Sequence, residues 1–263
     1  MQRGICRLCR REDFLLRSHL IPAAIYTRFQ SPHSLNPNPI LVTSRAVVQT
    51  SRQTRTYLLC AGCENILNRE GERRVLPLVA HVDKTFPLYD ILTKVAPDCA
   101  LPNIVAFAAA RNPEIPVDAL THFAVGIFWK ASVHHWMGDS SRTQIRLGPY
   151  EEKIRSYVLN PQDEPFPDNV TLMVLVLPPP KVPMLANHPM EGPRGEGFRN
   201  FRFYIPGIQF VLSVGKGVER DVCFKNNPLH PICIQDAADT VERDPNRMYL
   251  KVKEARALRG QRQ

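Results

Sequence analysis

The chain has no run approaching the roughly 18 to 20 uninterrupted apolar residues that a membrane-spanning helix requires. Its first stretch, MQRGICRLCRRED, lacks the apolar segment of a secretory signal, so the expected setting is cytoplasmic. There is no internal repeat. Seven cysteines are an odd number in a long chain without a signal, which argues against a disulfide framework. Lysine is absent through Val75, where twelve arginines face five acids: Glu12, Asp13, Glu64, Glu70 and Glu72. Most of the formal charge of +9 therefore lies in the first third of the chain. An apolar fraction of 44% with 22% charged residues excludes a disordered chain.

Four of the cysteines form two CxxC pairs, Cys6 with Cys9 and Cys60 with Cys63. Zinc takes four soft or borderline ligands in a tetrahedron, and two such knuckles supply four thiolates. The 50 residues between Cys9 and Cys60 exceed the spacing of a minimal zinc ribbon, and an inserted hairpin can hold them. A structural zinc is the expectation; two unrelated pairs or a redox dithiol are the alternatives. The redox alternative lacks the βαβ context that would support it. Cys99, Cys223 and Cys233 are read as ordinary buried thiols.

Residues 1–75 read as a compact zinc-binding module. EDFLLRSH ends in a short strand, IPAAIYTRF follows as a helix or turn, and SPHSLNPNP is a loop. ILVTSRAVVQ and RTYLLC have strand composition, and AGCENILNREGERR has helical character. Residues 76–252 form a larger α+β region of helices and antiparallel sheet, followed by a basic tail at 253–263. PLVAHVDKTFPLYDILTKVA reads as one helix interrupted at Pro87. DALTHFAVGIFWKASVHHW is the clearest helix, with Leu120, Phe123, Ile127, Phe128 and Ala131 at the spacing of one buried face. PYEEKIRSYVL is a further helix, VTLMVLVL a buried strand, and FRFYIPGIQFVLSV a hairpin about Pro206-Gly207.

The succession CxxC, a strand ending in SHLIP, and LLCAGCEN opening a helix resembles the zinc-stapled ββα-metal branch of the HNH nuclease superfamily. More narrowly, it resembles bacterial proteins with SHIIP-type and LCxxCE-type motifs. The resemblance covers about residues 4–72. It implies metal-dependent hydrolysis of phosphodiester bonds, in duplex DNA before RNA, with His19 as general base. Imidazole suits that task, because its pKa near neutrality lets it take a proton from an attacking water. The resemblance also implies a magnesium or other divalent ion, with Glu64 and Asn68 on the helix as candidate ligands.

Three positions depart from that pattern. Ser18 stands where an acid usually precedes the base, Arg55 where an asparagine is expected, and Glu64 where a histidine usually follows the last cysteine. An inactive zinc-stapled nucleic-acid-binding protein is therefore a second reading, and a protein-interaction module using the larger region a third. Arg10, Arg11, Arg17, Arg55, Arg69 and Arg73 are the candidate phosphate contacts, since the guanidinium fork matches two phosphate oxygens. His134, His135 and Asp139 are read as a helix end before a metal cluster, Trp129 and Trp136 as core, and Gly215-Lys216-Gly217 as a turn.

Overall fold

A computed structural model describes residues 2–30, 38–42, 47–50, 52–83, 85–101, 104–136, 144–179, 184–218 and 223–235. The loop reading at 31–37, Asp139 and the tail lie outside these residues. The segments on either side of the first CxxC form β1 (Gln2–Ile5) and β2 (Glu12–His19). A short helix, α1 (Ala23–Thr27), and a small hairpin of β3 (Ile40–Val42) and β4 (Val47–Gln49) separate them from β5 (Arg55–Cys60). Strands β1, β2 and β5 make an antiparallel sheet in that order. From Cys60 the chain turns into α2 (Ala61–Leu67), continues through a π-helical turn (Asn68–Glu72) and closes with α3 (Arg73–Val75).

The remainder contributes α4 (Pro87–Leu92), β6 (Cys99–Leu101), β7 (Ile104–Ala108), α5 (Val117–Val133) and α6 (Tyr150–Leu159). Strands β8 (Val170–Val176), β9 (Met190–Glu191), β10 (Phe198–Ile205), β11 (Ile208–Gly215) and β12 (Pro231–Gln235) follow. They build a seven-stranded sheet ordered β6-β7-β12-β8-β11-β10-β9. The class is α+β, but this sheet is mixed where an antiparallel one was expected. After β11 the chain crosses β8 and returns as β12, antiparallel to β11's direction and therefore parallel to β8. Among the described residues, no helix is long and apolar enough to cross a membrane.

Two further expectations are corrected. The interrupted helix around Pro87 is instead a short 3₁₀ turn at Leu76–Leu78, a non-helical stretch in which His81 N–H donates to the Thr85 carbonyl, and a helix that begins at Pro87. Proline lacks the amide that the first helical turn leaves unsatisfied, so it opens a helix where it could not continue one. Cys99 lies exposed on edge strand β6, whereas Cys223 and Cys233 are buried.

Helix α5 is the centre of the molecule, and every residue from Ala119 to Ser132 is buried. The one-faced pattern expected for it understates its surroundings. Phe128 meets Phe203 edge-on at 4.9 Å and Phe123 meets Phe210 at 5.9 Å, which seats the helix on β10 and β11. Its other side lies against α2, the π turn and α3. A Cβ on Gly71 would come within 3.0 Å of the Phe123 backbone, so the π turn needs glycine there to let α5 approach. Apolar packing is continuous from Cys6 to Ile232, across both sheets.

The β10–β11 hairpin turns at Pro206-Gly207, with Gly207 at φ +80°. The segment after α3 covers this turn: Ala80 donates to the Pro206 carbonyl at 3.0 Å, and Phe86 lies over Gly207. A Cβ on Gly207 would sit 2.5 Å from the Phe86 ring. Gly207→Ala is therefore expected to cost about 3 kcal/mol in urea unfolding, through left-handed strain and overpacking together.

Candidate metal centre and adjoining histidine site

The first CxxC forms the tight connection between β1 and β2. Cys6 N–H donates to the Arg11 carbonyl at 2.9 Å and Arg10 N–H to the Cys6 carbonyl at 2.8 Å, with Arg10 in the left-handed region at φ 61°. Arg7 N–H donates to the Leu58 carbonyl at 3.1 Å, which folds this turn onto β5. Cys60 ends β5 and caps α2, and Cys63 lies in the first helical turn. The four sulfurs all lie within 4.8 Å of one another, with Cys9 Sγ and Cys60 Sγ at 3.9 Å. A tetrahedron with zinc–sulfur bonds of about 2.3 Å has sulfur edges of about 3.8 Å, whereas a disulfide needs about 2.05 Å.

Proton sharing in the cluster fits a cation. The hydrogen bond with the Cys63 side chain is the main cause that lowers the Cys6 thiol to about 4, and the same contact pushes Cys63 up. Burial is the main cause raising Cys60. Four thiolates this close can coexist only around positive charge, which a bound zinc would supply. The filled tetrahedron would remain dianionic. Arg155 on α6 lies close enough for Cys9 and Cys63 to raise its pKa after Glu152 does, and it donates to the Leu8 carbonyl. Four soft donors and a nearby guanidinium match a closed, structural site.

His19 ends β2 opposite Arg55 on β5 and is half-buried. Burial is the leading cause lowering its pKa, followed by the charges of Lys130 and Arg55; Glu64 and a hydrogen bond with the Gln53 side chain oppose them. Lys130 comes from the last turn of α5, is 2% exposed, and its Nζ donates to the His19 carbonyl at 2.8 Å. Glu64 Oε1 is buried without a hydrogen-bond partner. Glu72 is half-buried and pushed up by burial first, against the opposing charge of Lys130 and with the like charge of Glu64.

The π turn explains why Glu64 and Glu72 sense one another. Eight residues along an unbroken α-helix differ by about 80° around the axis, and the extra residue of a π turn reduces this to roughly 20°. Glu64 acts electrostatically on His19, while Asn68 is exposed. Ser18 is 2% exposed and its Oγ has no partner. Among the described residues, the four cysteines are the one cluster of three or more His, Cys, Asp or Glu side chains at metal-binding separations. His19, Glu64 and Glu72 do not converge into a second.

Two of the candidate arginines are in ion pairs: Arg10 with Glu152, and Arg69 with Glu70 at 2.6 Å. Arg11, Arg17, Arg55 and Arg73 are exposed. His134 leaves the helix in an extended conformation and packs edge-on against Trp136 at 5.4 Å. Trp129 and Trp136 are core. Lys130, Glu72 and Gln53 escaped sequence reasoning; the one available signal was a lysine inside the otherwise apolar run AVGIFWKAS. No family model, curated protein or solved structure matches the chain.

Two outcomes are expected. Elemental analysis finds one zinc per chain, and Cys63→Ser removes the roughly 10 kcal/mol or more that metal binding ties to folding, leaving β1, β2 and β5 unprotected in amide exchange. By NMR, His19 titrates below its usual 6.5, and Lys130→Met moves the midpoint upward. Its contribution to stability is present above pH 6.5 and is lost as pH falls through the lower folded value, because only the unfolded chain then binds the proton readily.

Proposed function

We propose that the protein is an HNH-like nuclease that hydrolyses phosphodiester bonds in nucleic acid, with His19 as general base and a structural four-cysteine zinc. The observation that carries this reading is a half-buried imidazole opposite Arg55, with the buried Lys130 amine on the carbonyl of the same residue. The imidazole pKa is lowered by burial first and then by Lys130 and Arg55, while the charge of Glu64 opposes them. A neutral imidazole at physiological pH can accept a proton from water. Arg55 supplies an exposed guanidinium next to it for a phosphate, and Lys130 fixes the backbone that carries the ring. The zinc, already full, takes no part beyond holding β2 and α2 together. A magnesium ion would supply charge stabilisation at the phosphate, with Glu64 and Asn68 as its protein ligands, since this ion commonly uses one or two carboxylates together with substrate oxygens.

The lack of a second metal cluster among the described residues favours a second reading, in which the scaffold binds nucleic acid without cutting it. Nicking of supercoiled plasmid DNA in magnesium separates the two. The nuclease reading expects His19→Ala to slow nicking by about 10²- to 10⁴-fold while leaving bound zinc unchanged. Equal nicking by parent and variant would rule out the assignment of His19.

A further inference from the structure

We propose that the outer edge of β1 is a self-association surface, where a second copy of this chain adds its own β1 antiparallel across a two-fold axis at Gly4. Strand β1 pairs with β2 alone and so ends the three-stranded sheet. Cys6 N–H donates to the Arg11 carbonyl, on the β2 side. Main-chain groups alternate in direction along a strand, so those of Gly4 also turn toward β2, and those of Arg3 and Ile5 turn outward. The outward groups have no hydrogen-bond partner among the described residues. An open strand edge of this kind is a template for another strand.

The side chains of this edge are as open as its main chain. Ile5 is 64% exposed, and Phe14, opposite Arg3 on β2, is 58% exposed. Residues paired across antiparallel strands share a side of the sheet, as do alternate residues along one strand. Arg3, Ile5, Glu12 and Phe14 therefore stand on one side. Arg3 and Glu12 lie 3.1 Å apart there, and both are largely exposed.

Few registers align the outward groups of two such strands. Pairing Arg3 with its own copy sets two guanidinium groups face to face. Pairing Ile5 with its own copy leaves a single matched position within the strands. Centring on Gly4 matches Arg3 with Ile5 on both sides of the axis, and each matched pair exchanges two main-chain hydrogen bonds. It also puts a residue without a side chain where the two strands come closest. In that register the stem of each Arg3 lies across the partner's Ile5, and its guanidinium reaches toward Glu12 on the strand beyond. The apolar surface is covered and the charges are met by symmetry, so a second copy is the complement that this edge specifies.

Sedimentation equilibrium on the intact protein tests this. The parent is expected to show a reversible monomer–dimer equilibrium, weak because the joined surface is small. Arg3→Glu and Glu12→Arg should each weaken dimerisation by about 5- to 30-fold, since each sets like charges together at two places across the axis. Mixing the two variants should restore it, because positions 3 and 12 then meet with opposite charges at both places. That rescue requires contact between two chains, so a change within one chain does not produce it. A parent that stays monomeric up to about 1 mM, or charge variants that dimerise like the parent, would overturn the proposal. A mixture no more associated than its separate components would do the same.

Discussion

Four sulfurs gathered within 4.8 Å of one another set the geometry of the amino-terminal third. Cys6 and Cys9 come from the connection between β1 and β2, and Cys60 and Cys63 from the junction of β5 with α2. Joining those two points aligns β5 beside β2 and sends α2 back across the sheet. His19, at the far end of β2, and Glu64, directly after Cys63, thereby enter one electrostatic neighbourhood. Under the proposed function, structural and reactive roles would be divided: the four cysteines would hold a closed metal site, and an imidazole and a carboxylate near it would carry the chemistry.

Helix α5 completes the arrangement from the other side. It rests on β10 and β11 through Phe123 and Phe128, and it meets the π turn after α2 where Gly71 permits close approach. That contact delivers Lys130 to the His19 carbonyl in a buried setting. A buried ammonium is costly unless it is hydrogen-bonded and faces opposite charge. Here the carbonyl provides the hydrogen bond and Glu72 the opposing charge. The larger region thus contributes directly to the site, and the cation from α5 helps to keep the histidine neutral.

Local chemistry was legible in the sequence where spacing carries it. The two CxxC pairs, the strand into His19, the helix after Cys60 and the Pro206-Gly207 hairpin all follow from neighbouring residues. Features that depend on distant pairing were hidden. Strand β12 is short, and only its insertion between β7 and β8 makes the larger sheet mixed. The periodicity of α5 identified one buried face, but its burial on all sides depends on two layers closing over it. A π turn has no composition of its own, so the alignment of Glu72 with Glu64 could not be anticipated. Lys130 was visible as a charge in an apolar helix, yet its partner lies 111 residues away.

Zinc K-edge X-ray absorption on the intact protein tests the central constraint most directly. The predicted first shell is four sulfurs at about 2.3 Å with no nitrogen or oxygen. A shell of mixed sulfur and oxygen or nitrogen, or one with fewer than four sulfurs, would contradict the closed structural site on which the placement of His19 and Glu64 depends.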